Sequence, residues 1–130
     1  MAFNSAIQLS AVAFGGAIGA ILRFTLSTGI NQLFTRSLPY GTLVVNVLGS
    51  LLIGVCYVLF IQKNYLPLEW RLFFMTGFLG ALTTFSTFSL DTFQLLDRGE
   101  IIHAFSNIGL NVVLCLFATW CGIQITQRLL

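Results

Sequence analysis

The chain reads as an all-α integral membrane protein with four transmembrane helices, and three observations predict it. Its 130 residues are 57% hydrophobic and 8% charged, with a mean hydropathy of +0.93. A soluble domain carries about 25% charged residues, far more than this surface offers to water. The ten charges also fall so that Met1 to Leu22, Ser37 to Gln62, Leu72 to Leu90 and Ile101 to Gln127 contain none. Each run approaches or exceeds the ~20 apolar residues that a helix needs to cross a bilayer. Disorder, a secreted disulfide scaffold and a soluble nucleic-acid binder are excluded. A net charge of +2 dispersed over the loops predicts no nucleic-acid partner. Cys56, Cys115 and Cys121 all fall inside spans and read as small buried hydrophobes.

The whole chain, 1–130, reads as one membrane domain with helices over about 4–26, 39–62, 69–95 and 101–127. The first has Asn4 or Ser5 as its cap and carries Gly15, Gly16 and Gly19, a small-residue pattern that admits a close neighbour. It lacks the basic leader of a signal peptide. Arg23 closes it and can snorkel to the interface. A polar loop with Asn31, Arg36, Pro39 and Gly41 follows, Pro39 suiting the first turn of the second helix. The next loop, Lys63 to Glu69, contains Pro67 and brings two interfacial aromatics, Tyr65 within it and Trp70 just after it.

The third span starts near Glu69, whose charge suits a helix N-terminus. It is predicted to break, because Gly77, Gly80 and Thr83-Thr84-Phe85-Ser86-Thr87-Phe88-Ser89 make a poor continuous helix. Serine and threonine compete for backbone groups, and glycine is costly in a helix. The turn Asp97-Arg98-Gly99-Glu100 leads to the last helix.

Orientation follows the side that holds Lys and Arg. With the N-terminus inside, Lys63, Arg71 and Arg128 oppose Arg23, Arg36 and Arg98, three against three. A chain so balanced can insert both ways up, and two opposite copies would supply the inverted symmetry of larger transporters. Charges this few also balance by chance.

Polar groups within spans mark function or packing. Thr42, Asn46, Ser50 and Gly54 form a stripe on the second helix, and Asn107, Asn111, Cys115 and Thr119 form another on the fourth. They read either as hydrogen-bonded glue between helices or as the lining of an ion path. All are neutral, and Asp91 is the one acid near a span. Amide and hydroxyl donors suit an anion better than a cation. Phe85 and Phe88 share a helix face, and aromatic ring edges are positive.

At these residues the chain resembles a known family, the bacterial fluoride channels called Fluc or CrcB. Three ordered motifs carry the resemblance: Gly15-Gly16-Ala17-Ile18-Gly19-Ala20-Ile21-Leu22-Arg23-Phe24, Gly41-Thr42-Leu43-Val44-Val45-Asn46-Val47-Leu48-Gly49, and Gly77 to Ser89. It implies an antiparallel, dual-topology homodimer with two fluoride pores in a bacterial cytoplasmic membrane. It further implies a structural sodium ion on the carbonyls of Gly80 and Thr83 from each copy. Phe85 and Phe88 would contact fluoride by their edges, and Asn46 would line the pore. Thr42 would lie near a pore mouth, Ser86 and Thr87 near the rings, and Thr119 on a hydroxyl track along the fourth helix. Arg23 would draw anions into a vestibule. Asp91, where some members carry Glu, would gate or brace a vestibule, or serve only as a solvated helix-end acid.

Asn111 and Cys115 fall where relatives carry His or polar groups, and a thiol donates more weakly than a hydroxyl. His103 reads as interfacial. The function implied is passive fluoride export, with no enzymatic chemistry. The alternatives are a small proton-coupled multidrug exporter, which needs a deep carboxylate that the first helix lacks, and a non-transporting scaffold.

Overall fold

The computed structural model describes residues 5–34 and 37–130. The expected cap Asn4 and the loop charge Arg36 lie outside the described residues. Four helical spans are each long and apolar enough to cross a membrane, and no strand occurs among the described residues. We label the elements α1 (Ser5–Leu33), α2 (Tyr40–Gln62), α3 (68–82), α4 (Phe85–Asp97) and α5 (Ile101–Leu129). α3 and α4 together make the third span, Leu68–Asp97, interrupted at Thr83 and Thr84.

α1 runs two turns past the expected end at Leu26. No proline stops it, and Asn31, expected in a loop, is helical. Its Oδ1 accepts the N–H of Gly41 at 2.8 Å. That bond satisfies one of the free donors of α2, whose cap residue Pro39 offers no side-chain acceptor. Arg23 therefore sits inside α1 rather than closing it.

Glycines set the helix spacing. α1 packs on α3 so closely that a Cβ on Gly15 or Gly19 would collide with the carbonyl oxygens of Phe73 or Phe78. A Cβ on Gly77 would collide with that of Val12. Gly54 and Gly122 repeat the arrangement where α2 packs on α5, against the carbonyls of Thr119 and Leu51. The small-residue pattern read in the first span thus meets a matching glycine in the third. Both the end of α2 and the stretch Leu72–Leu79 of α3 are wound as π-helix, with Gly80 N–H reaching back to the Met75 carbonyl.

Buried packing is thin. Only 11% to 33% of each span's most apolar stretch is covered within one chain, so the rest requires lipid or protein around it. At one end Trp70 stacks on Phe74, their ring centres 6.0 Å apart, forming an aromatic cluster suited to a membrane interface.

Candidate functional site: a broken helix over a cavity

Thr83 and Thr84 are extended, at φ/ψ of −87°/157° and −153°/121°. Thr84 then caps α4: its Oγ1 accepts the Thr87 N–H at 3.1 Å, the usual service of a threonine at a helix start. Its hydroxyl donates to Thr87 Oγ1 at 3.1 Å, so Ser86, 3.2 Å away, must be the donor in its own contact with Thr84.

Asn46 of α2 pins this break. Its Oδ1 accepts the Thr84 N–H at 2.8 Å and its Nδ2 donates to the Thr84 carbonyl at 3.1 Å. The second Nδ2 hydrogen goes to Asn111 Oδ1 on α5, also at 3.1 Å. Asn111 donates onward to the side-chain and backbone oxygens of Asn107, both at 3.0 Å. Asn107 donates to Thr92 Oγ1 at 3.0 Å, and Thr92 donates to the Phe88 carbonyl at 2.8 Å. The chain of donors has one direction, from Asn46 on α2 through α5 to Thr92 and Phe88 on α4. No buried side-chain polar atom among the described residues lacks a partner, so the amides fit their interior.

The break also frees acceptors. In an unbroken helix the N–H groups of Thr84 and Thr87 would bond the carbonyls of Gly80 and Thr83. Here they bond Asn46 and the Thr84 hydroxyl instead. α3 ends at this point and α4 begins, so the negative end of one helix dipole and the positive end of the next meet beside the break.

A cavity of about 470 Å³ lies against it, open to one side of the chain. Asn46, Ser50, Gly80, Thr83, Thr84, Phe85, Phe88, Asn111 and Cys115 all line it, drawing together α2, α3, α4 and α5. Gly49 has no side chain because the Thr83 methyl occupies its place. The rings of Phe85 and Phe88 are 5.3 Å apart and tilted by 59°. Phe88 is only 8% exposed, whereas Phe85 is 77% exposed on the chain's surface.

A second, more polar cavity of about 670 Å³ adjoins the other end of α4. Asp91, Gln94 and Arg98 enter it from one face of α4, and Thr28, Asn31 and Gln32 from α1. Thr42, one turn from Asn46, is buried and donates to Asp91 Oδ2 at 2.8 Å.

Among the residues expected at the site, the first cavity gathers Asn46, Gly80, Thr83, Phe85 and Phe88. Ser86 and Thr87 stand on the exposed first turn of α4, outside that lining. Thr119 donates to the Ser50 carbonyl at 3.0 Å, a turn beyond Cys115. Arg23 lines neither cavity. His103 Nδ1 lies 3.1 Å from Glu100 Oε2 in the first turn of α5, outside the lining of either cavity. Arg98 escaped the sequence reading as a loop charge; its spacing from Asp91 and Gln94 was the available signal.

The fold and site define a multi-pass membrane protein built around a discontinuous helix, its break held by the Asn46 amide over a largely apolar cavity with two phenyl rings in its wall. The chain belongs to the CrcB family: the model described as CrcB-like protein, Camphor Resistance (CrcB), matches residues 10–123. It is 50% identical over 117 residues to a protein of Hydrogenovibrio crunogenus named fluoride-specific ion channel FluC, covering 90% of this chain and 89% of that one. A Campylobacter jejuni protein of the same name is 50% identical over 117 residues, covering 90% and 95%. One from Geobacter sp. strain M21 is 44% identical over 122 residues, covering 94% and 98%.

Proposed function

We propose that the chain is a passive, fluoride-selective channel that lets fluoride leave the cytoplasm of a bacterium. The observation that carries this reading is the pairing of Phe85 and Phe88 beside an amide-pinned break, in a chain half identical to proteins named fluoride-specific channels. Fluoride crosses membranes as its neutral acid, ionises in the less acidic interior and is trapped there. A leak driven by the membrane potential then removes it, with no coupled proton.

The cavity suits a small hard anion. Its lining carries no full charge, so an anion is held by dipoles weakly enough to leave. The positive ring edges and the start of α4 offer partial positive charge. Asn46 has given both amide hydrogens to protein acceptors, so its part is to fix the Thr84 backbone at the lining. Thr42 and Thr119 have likewise donated their hydroxyls, to Asp91 and to the Ser50 carbonyl. They shape the path and leave the Ser50 hydroxyl, the Cys115 thiol and the rings to face the ion.

Two antiparallel copies would complete the pores, since Phe85 lies on the surface and the first cavity is open on one side. Gly80 and Thr83 would hold the structural sodium ion. Supporting this are their freed carbonyls, a donor set that suits a hard cation. One copy offers too few such oxygens, and a second would add its own. Bound there, sodium would supply fixed positive charge and join the subunits. A proton-coupled drug exporter has no comparable support: α1 contains no carboxylate, and Asp91 opens on a polar cavity at a helix end.

The test is fluoride efflux from proteoliposomes followed with a fluoride electrode. Phe85→Ile and Phe88→Ile should each slow efflux about tenfold or more, equivalent to ~1.4 kcal/mol in barrier height. Efflux unchanged in both variants overturns the ring-edge mechanism.

A further inference from the structure

We propose that Arg98 is the charge that gathers anions into the second cavity, and that Glu100 sets how much of that charge the cavity feels. The inference rests on the reading of the chain as an anion channel and adds to it a residue, a site and a control. Asp91, Gln94 and Arg98 fall three and four residues apart, so α4 presents all three to one cavity. Among the described residues, Asp91 and Arg98 are the charged groups that line it.

Their situations differ. Asp91 sits deeper, half-buried, with one oxygen bonded to the Thr42 hydroxyl. Arg98 stands at the outer end, where Nε donates to the Gln94 carbonyl at 3.1 Å. This contact anchors the side chain at the C-terminus of α4, the end that favours a cation. The terminal amino groups of the guanidinium make no hydrogen bond to any described residue. Their N–H donors are therefore free to meet a hydrated anion in a space large enough to hold one. The amides of Asn31, Gln32 and Gln94 supply further donors around the same space.

Glu100 tempers this charge from outside. Its Oε1 lies 3.5 Å from Arg98 Nε, and its Oε2 lies 3.1 Å from His103 Nδ1. Gly99, at φ 75°, turns the chain tightly enough to bring Glu100 back beside Arg98. The carboxylate is thus held between two basic side chains and lies outside the cavity lining. Removing it takes away the carboxylate nearest the guanidinium without touching the cavity wall.

The phenylalanine-lined cavity has no charged side chain to concentrate anions from solution. An arginine in the second cavity, toward the other end of α4, can do so without trapping an ion beside the rings, because attraction at a mouth raises the rate of encounter. In antiparallel copies, one such mouth would open on each side of the membrane.

The experiment measures initial fluoride efflux from proteoliposomes of the full chain at sub-saturating fluoride, with an impermeant potassium salt as the variable. Salt is raised from about 0.01 M to about 1 M, over which the screening length falls from about 30 Å to about 3 Å. At low salt Arg98→Gln should slow efflux about threefold, a modest share of the ten- to thousandfold range of electrostatic steering. Arg98→Lys should restore most of the rate, and Glu100→Gln should raise it above wild type. These differences should vanish at high salt.

Loss of a helix-end contact would slow Arg98→Gln and Glu100→Gln alike and would not answer to salt, so opposite signs and salt dependence separate steering from folding damage. An Arg98→Gln rate equal to wild type at low salt overturns the inference, as does a deficit that persists at high salt. Either result leaves the channel reading standing. Absence of any wild-type fluoride efflux overturns that reading and this inference with it.

Discussion

At the scale of single residues, the account turns on Asn46. A carboxamide offers two donors and an oxygen with two lone pairs. Asn46 spends both donors and at least one acceptor site on Thr84 and Asn111, which lie 38 and 65 positions away in the chain. The four-residue stripe made Asn46 visible in the sequence, but its partners were not visible, because no local spacing encodes a pairing that distant. Replacing it with leucine strands the Thr84 N–H and carbonyl and removes the donor to Asn111. A buried polar group left without a partner costs about 1–3 kcal/mol. Asn46→Leu should therefore lower the thermal unfolding midpoint in detergent markedly, whereas substitution of the exposed Ile102 by leucine should leave it unchanged. Equal midpoints for wild type and Asn46→Leu would show that the break does not depend on this amide.

At the scale of elements, the interrupted third span was legible because its residues disagree with a helix. Thr83 and Thr84 are the residues that leave the helix, within the Thr/Ser run that suggested a break. The π-wound stretch Leu72–Leu79 was not legible, since Gly77 signals a weak helix but no residue type signals π winding, which depends on what packs beside it. The length of α1 was misjudged for a related reason: Asn31 looks like a loop residue until its partner Gly41 is known. The glycine contacts between α1 and α3 give a direct test of this packing. Gly77→Ala places a methyl against the backbone oxygen of Val12, which cannot swing away as a side chain would. Overpacking of this kind costs about 1–3 kcal/mol. The variant should lose thermal stability, while Gly109→Ala, with open space around it, should not. A Gly77→Ala protein as stable as wild type would mean that the two helices are looser than the fold requires.

At the scale of the whole molecule, one chain leaves most of its apolar surface, the Phe85 ring and one side of the phenylalanine-lined cavity uncovered. Four spans were countable from charge-free runs alone. Their pairing was not, because glycines announce a close neighbour without naming it. The balance of three basic residues against three leads us to expect both orientations in one membrane, which single-cysteine tags in the loops would report. Label reaching each tag from both sides of sealed vesicles supports opposed copies, and protection from one side alone contradicts them.

The central claim is selective, passive fluoride conduction. The measurement that addresses it most directly is the reversal potential of currents through the purified protein in a planar bilayer. Fluoride, chloride and proton gradients should be imposed one at a time. A fluoride-selective channel gives a potential that follows the fluoride ratio and ignores the other two. A potential that follows chloride or pH, or the absence of any fluoride current, would contradict it.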